Sequence, residues 1–249
     1  MKAKRENAAD GSPNENGCIG VFDSGVGGLA ILAALRREMP NESFAYVFDR
    51  SHSPYGNRPA RYVASRARKI TEFLCKKGAK AIVVACNTAT SVGITALRER
   101  FGLPVIGVEP PVKPAALRFP DGKIAVLVTP RTARERRFIA LTERYRTDGL
   151  TVIPCPDLAS AVEDHFHDLD AVLPVLEKAF SVCPNPVATV LGCTHYYFLR
   201  PQIKKILGES AEIFDGRKAL RNARNPYLPK TIYYPPAPRK DDLFLLVGL

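Results

Sequence analysis

The chain has 249 residues, and several common features are missing from it. No stretch approaches the roughly 20 uninterrupted apolar residues of a membrane span, so no membrane-spanning helix is expected. The N-terminal MKAKRENAADGSPNENG carries charge but no apolar core, which excludes a secretory signal and makes a cytoplasmic location the default. Its Asn, Gly, Ser and Pro content marks residues 1–17 as a disordered extension. No two cysteines have C-x-x-C spacing, which removes local support for a zinc site or a thioredoxin-like pair. A G-x-G-x-x-G fingerprint is absent as well, so the glycines near the N-terminus do not make a Rossmann dinucleotide site. Acidic residues are in deficit, 25 against 36 Lys and Arg, giving a net charge of +11. Such an excess attracts nucleic acid or small acidic substrates.

What is present is a repeated alternation. CIGVFD, SFAYVFD, KAIVVAC and PVIGV read as strands, separated by the helical LAILAALRREM, residues 60–77 and TSVGITALRERF. Within residues 60–77, Val63, Ala67, Ile70 and Leu74 share one helical face. GKIAVLVT, LTVIPC, ATVLGC and EIFD then repeat the pattern, with the basic amphipathic TARERRFIALTERYR, the largely helical residues 158–181 and LRPQIKKIL between them. The alternation predicts an α/β protein with parallel sheets covered by helices on both faces. In such sheets functional groups gather where strands end and helices begin.

Two of those junctions match. IVVACNTAT and TVLGCTHYY each run from an apolar strand through a small residue into a cysteine and then polar side chains. Cys86 and Cys193 are 107 residues apart, the length of one small α/β domain, so the halves read as structural duplicates. Two thiols reaching a shared cleft from opposite sides suit inversion of a stereocentre, which needs a base on one face of a carbon and an acid on the other. A thiol near pKa ~8.5 requires a cation, a helix N-terminus or hydrogen bonds to favour its thiolate. Cys86 precedes a helix start, and His195 stands two residues past Cys193 as a proton relay. The competing reading of a buried cysteine is a small apolar filler, and it is retained for Cys18, Cys75, Cys155 and Cys183, which have no such constellation. FDSGVGG offers a third feature, with two open readings: a backbone loop that approaches a carboxylate or phosphate, or Asp23 capping the next helix.

The motifs IGVFDSGVGGL, SPYGNRP, VVACNTAT, IGVEPPVKPA and VLGCTHY, in this order and spacing, resemble those of bacterial glutamate racemases over about residues 18–215. The resemblance implies a cofactor-independent, metal-free isomerase of two pseudo-symmetric parallel-sheet α/β domains with the active site in the cleft between them. Residues 18–112 plus 210–249 would form the first domain and residues 113–209 the second. It implies racemisation of L-glutamate to D-glutamate for peptidoglycan, cell-wall biogenesis and cell shape, by a homodimer. Cys86 and Cys193 would be the acid/base pair, assisted by Asp23 and His195. Ser24, Pro54, Tyr55, Gly56, Asn87, Thr88, Thr132 and Thr194 would contact substrate, and Glu163 would hold the substrate ammonium or assist His195. The sequence departs from the family pattern at Tyr197, where proline is usual, and at Pro130 and Arg131, where small residues are usual. The stretch after Asp215 is also more basic and proline-rich than the family's. Two alternatives accompany this reading. One is a racemase of aspartate or another acid on the same fold, hinted at by VTPRT. The other is a protein whose basic surface, chiefly Arg217 to Lys240, engages nucleic acid or a partner.

Overall fold

The chain builds two parallel sheets of the same design. A computed structural model describes residues 17–217 and 247–248. The first sheet comprises β1 (Ile19–Asp23), β2 (Phe44–Phe48), β3 (Ala81–Val84) and β4 (Val105–Gly107), and the second β5 (Ile124–Val128), β6 (Leu150–Pro154), β7 (Ala188–Gly192) and β8 (Glu212–Phe214). A short β9 (Val247–Gly248) adds to the edge of β2. The strand orders are β4-β3-β1-β2-β9 and β6-β5-β7-β8. Counted within its own half, each sheet therefore runs second, first, third, fourth, and every pairing is parallel. β1, β3, β5 and β7 are buried along their whole length, as strands covered on both faces must be.

Helices α1 (Leu29–Glu38), α2 (Ala60–Lys76), α3 (Asn87–Arg100) and α4 (Val112–Arg118) accompany the first half. α5 (Pro130–Arg134), α6 (Arg136–Arg144), α7 (Leu158–Asp164), α8 (Leu173–Phe180) and α9 (Arg200–Leu207) accompany the second. The face of α2 expected to be apolar is the buried one: Val63, Ala67, Ile70 and Leu74 lie against Ile82, Val84 and Ile94. A second cluster runs through both halves, joining Val21, Val83, Ala85 and Val108 to Leu127, Leu191, Tyr197 and Leu199. That continuity holds the C-terminal ends of the two sheets beside one another.

Three local outcomes differ from the sequence pattern. The basic stretch after Thr132 is two helices, because Glu135 is extended (φ −82°, ψ 132°) between α5 and α6. α3 starts at Asn87, directly after Cys86 as expected but three residues ahead of the helical TSVGITALRERF, so Asn87 and Thr88 form its first turn. β8 pairs with β7, so the chain is still in the second sheet at Phe214, past the expected division at residue 210. The N-terminal extension up to residue 16 and the basic segment beyond Arg217, β9 excepted, lie outside the described residues. Among the described residues no helix is long and apolar enough to cross a membrane.

Candidate active site

Both cysteines follow the third strand of their sheet. β1 and β3 are in register through Phe22 and Val84, which brings Ser24 level with Cys86 two residues on. The same register in the second sheet, Val128 with Gly192, brings Thr129 level with Cys193. Ser24, Thr129 and the two thiols therefore occupy matching topological places, and all four are buried.

Around Cys86 the partners form a relay. The thiol donates to Ser24 Oγ at 3.7 Å, and Ser24 Oγ donates to Asp23 Oδ1 at 3.2 Å. Cys86 is also the N-cap of α3, its sulfur accepting the Ala89 N–H at 3.5 Å, a place where a hydroxyl or carboxylate is usual. Burial pushes the Cys86 thiol up to about 12, the nearby Asp23 charge adds to this, and the Ala89 N–H only partly offsets them. Cys193 contributes a further small upward push, so the two thiols share one electrostatic neighbourhood. Asp23 is fully buried, and burial raises its carboxyl above the ordinary aspartate value against the pull of His195 and Thr194. Its Oδ1 accepts the Gly25 N–H at 3.2 Å, whereas Oδ2 is buried without a hydrogen-bond partner.

Around Cys193 a ring takes the place of the hydroxyl. Cys193 Sγ lies 3.6 Å from His195 Nδ1, and His195 Nε2 lies 2.6 Å from Glu163 Oε1. Burial alone would lower His195, but hydrogen bonds to Cys193 and Glu163 outweigh it and raise the imidazole to about 10. Burial acts to raise Glu163, yet the His195 hydrogen bond and charge bring it below the ordinary glutamate value. Glu163 belongs to α7 but is held from the other half. The Val26 N–H donates to its Oε1 at 3.0 Å and Ser53 Oγ does so at 3.4 Å. The glycine loop does therefore approach a carboxylate, and that carboxylate is the protein's own. Asp23 caps no helix, since neither the turn at Val26–Gly28 nor α1 has a side-chain cap. A Cβ on Gly25 would stand 1.9 Å from Glu163 Oε1 and 2.7 Å from His195 Nε2, which explains glycine there.

The remaining expected contacts divide into two groups. Thr88 Oγ1 and Thr129 Oγ1 are 3.0 Å apart, and Thr129 donates to Thr132 Oγ1 at 3.0 Å, giving a buried trio of hydroxyls across the halves. Asn87 donates to the Val108 carbonyl at 3.0 Å, while its Oδ1 is buried without a partner. Thr194 is buried against Gly27, where a Cβ would meet its Oγ1 at 2.4 Å. The Tyr55 hydroxyl donates to Asp49 Oδ2 at 2.6 Å, which leaves its backbone for the contact expected of it. Pro54 precedes the turn at Tyr55–Asn57, and Gly56 rests against Thr129.

Sequence reasoning passed over Asp49 and Arg66. Asp49, fully buried after β2, accepts from Arg66 Nε and Nη2 at 2.7 and 2.8 Å and lies 2.8 Å from His52 Nδ1. Burial alone would raise Asp49, but Arg66 and Tyr55 hold it below the ordinary aspartate value. The clamp fixes the turn that carries Pro54, Tyr55 and Gly56. Its only signal was an aspartate closing a strand, the same signal that singled out Asp23. Among the described residues no group of three His, Cys, Asp or Glu side chains is arranged to hold a metal ion.

Comparison with known proteins identifies the family and the fold. The Asp/Glu/Hydantoin racemase family model matches residues 29–223. A glutamate racemase from Stutzerimonas stutzeri is 41% identical over 217 residues, covering 83% of this chain and 80% of the relative. The crystal structure of a Bacillus anthracis glutamate racemase is similar at TM-score 0.74 and 36% identity, covering 84% of this chain and 80% of that one. The Escherichia coli glutamate racemase, solved with L-glutamate and the activator UDP-MurNAc-ala, is similar at TM-score 0.77 and 29% identity over 90% of this chain and 86% of that one. With its two matched parallel sheets and a family match over most of its length, the chain belongs to the Asp/Glu/Hydantoin racemase family and is an amino-acid racemase, an isomerase.

Proposed function

We propose that the chain interconverts L- and D-glutamate by 1,1-proton transfer between Cys86 and Cys193, without a cofactor. The observation that carries the reading is the pair of thiols at equivalent strand ends, each with its own buried acid/base partner. In one direction a thiolate removes the α-proton, leaving the electron pair on carbon, and the opposite thiol returns a proton to the other face. The first sulfur ends protonated and the second ends as thiolate, so the reverse reaction uses the same groups in exchanged roles.

The surroundings supply what this chemistry needs. Asp23 Oδ2 and Asn87 Oδ1 are buried acceptors without partners and suit the substrate ammonium. The hydroxyls of Ser24, Thr88, Thr132 and Thr194, with the first N–H groups of α3, suit its carboxylates. His195, held by Glu163, positions a proton beside Cys193, and Asp23 acts through Ser24 beside Cys86. Pro54, Tyr55 and Gly56 close the cleft through the turn that Asp49 and Arg66 fix. The reading includes a division at residues 18–112 plus a C-terminal return, with 113–209 and β8 in the second domain. It also includes a homodimer in the cytoplasm, with D-glutamate supplied to peptidoglycan.

Circular dichroism of L-glutamate and L-aspartate solutions incubated with the protein tests the reading. Decay of the glutamate signal to zero, with aspartate unchanged, is expected. Decay of aspartate alone would move the assignment to the other acid, and turnover surviving Cys86→Ser would remove the two-thiol mechanism. A gel shift at low salt checks the nucleic-acid alternative, and no shift is expected.

A further inference from the structure

Beside the cleft lies a cavity of about 450 Å³ lined by Gly56, Asn57, Pro130, Arg131, Arg134, Pro154 and Pro156. It is a joint between the halves. Asn57 donates to the Pro156 carbonyl at 3.0 Å across it, and Gly56 lies against Thr129, whose hydroxyl belongs to the buried trio. Gly56 therefore touches both this cavity and Thr129. Two arginines enter it from α5, the short helix that ends at the extended Glu135. Arg131 donates through Nη1 to Glu135 at 3.1 Å, but its Nε is buried with no acceptor. Arg134 is exposed, and among the described residues it pairs with no carboxylate. Two arginines against one glutamate leave the cavity net positive, and three prolines give it apolar walls.

We propose that this cavity is an anion site separate from the thiol pair, which takes a carboxylate of an acidic amino acid before the molecule passes Thr129 into the cleft. That the molecule is a racemisation substrate rests on the function proposed above; that the site binds a small oxyanion does not. A guanidinium offers paired N–H donors to a carboxylate or a phosphate alike. An arginine pair at a cleft mouth raises the local concentration of anionic substrate in a salt-dependent way.

The test uses two probes, inorganic phosphate and glutarate, the latter a dicarboxylate with no stereocentre to racemise. Binding is measured by calorimetry in the wild-type chain, in Cys86→Ser, in R131Q/R134Q and in E135Q. Both probes should show a site that is equal in the first two proteins, weakens about tenfold in R131Q/R134Q and tightens in E135Q, where the competing carboxylate is gone, while glutarate also occupies the substrate cleft as a second site that R131Q/R134Q leaves unchanged. R131K/R134K, with the same charge and a single donor head, should recover part of the affinity, and a thermal midpoint of R131Q/R134Q within a few degrees of wild type shows that the glutamine variant is folded. In turnover, R131Q/R134Q should lower kcat/KM for glutamate about five- to tenfold with kcat within about twofold, and flatten its dependence on ionic strength. Unchanged binding of both probes in R131Q/R134Q overturns the site. Phosphate binding without glutarate binding overturns the carboxylate assignment in favour of a phosphate ligand. Lost binding with kcat/KM and its salt dependence unchanged overturns the feeding role. A wild-type chain that racemises nothing defeats the racemase reading, while the phosphate arm in Cys86→Ser still decides the site.

Discussion

The two cysteines occupy equivalent places in two sheets of identical strand order, yet they keep different company. Cys86 leans on a hydroxyl and, through it, on the buried Asp23, an arrangement whose burial and negative charge favour the thiol. Cys193 leans on an imidazole that Glu163 and the sulfur itself keep protonated up to about pH 10. The difference teaches that equivalent positions in two like sheets can carry different proton-holding partners. Cys86 rests with its proton on sulfur, and the opposite side stores a proton on a neighbouring ring. A reaction that runs both ways needs one sulfur without its proton and the other with it, in exchangeable roles, and the two constellations differ in the groups that neighbour each sulfur.

Removing either thiol breaks the comparison outright. Cys86→Ser and Cys193→Ser should each lower racemisation at least about a thousandfold, at the strong end for a positioned acid/base group, as read by circular dichroism. Thermal midpoints within a few degrees of wild type would show that the loss is chemical.

Glu163→Gln should cost about ten- to a hundredfold at pH 8 and move the alkaline limb of kcat/KM to lower pH, because one of the pulls that raises His195 disappears. A limb that stays in place would separate His195 from the reaction. The same raised value has a stability consequence. His195 is higher folded than unfolded, so its contribution is fully present below the unfolded value near 6.5 and is lost as pH rises through about 10. Asp23, also raised on folding, works in the same direction at lower pH. Chemical denaturation at pH 7 and pH 10 should show the folded state weakening in the wild type and weakening less in Glu163→Gln.

Gly25→Ala places a methyl where Glu163 and His195 meet the glycine loop. It should destabilise by about 1–3 kcal/mol and lower kcat more than KM rises, since it disturbs the Cys193 side while leaving the threonine trio intact. Equal damage to both parameters would mean that the loop serves binding instead. The smallest effect is expected of Tyr55→Phe. Asp49 keeps both Arg66 hydrogen bonds, so the loss should be about 1 kcal/mol of stability with a modest rise in KM.

Both cysteine junctions were legible because an apolar strand ending in Cys and polar residues is a local pattern, and alternation alone indicated parallel sheets. What escaped was long-range. Arg66 lies beside the buried face of α2, and its partner Asp49 is 17 residues away after β2, a pairing that helical periodicity does not announce. The break at Glu135 has no turn residue to announce it, since TARERR suits a continuous helix. β8 is three residues long, and nothing in EIFD says which sheet it joins. The link from the glycine loop to Glu163 spans 137 residues and could not be read from either segment alone. The bond from the Tyr55 hydroxyl to Asp49 was not legible either, since nothing in SPYGNRP names its partner.

The central claim is that the two thiols work from opposite faces of one carbon. Its most direct test is α-proton exchange in deuterated water, followed by NMR separately from L- and from D-glutamate, for the wild type and each Cys→Ser variant. The account predicts deuterium in the product enantiomer with wild type, and no racemisation with either variant from either starting enantiomer. Racemisation by Cys86→Ser at the wild-type rate would contradict it.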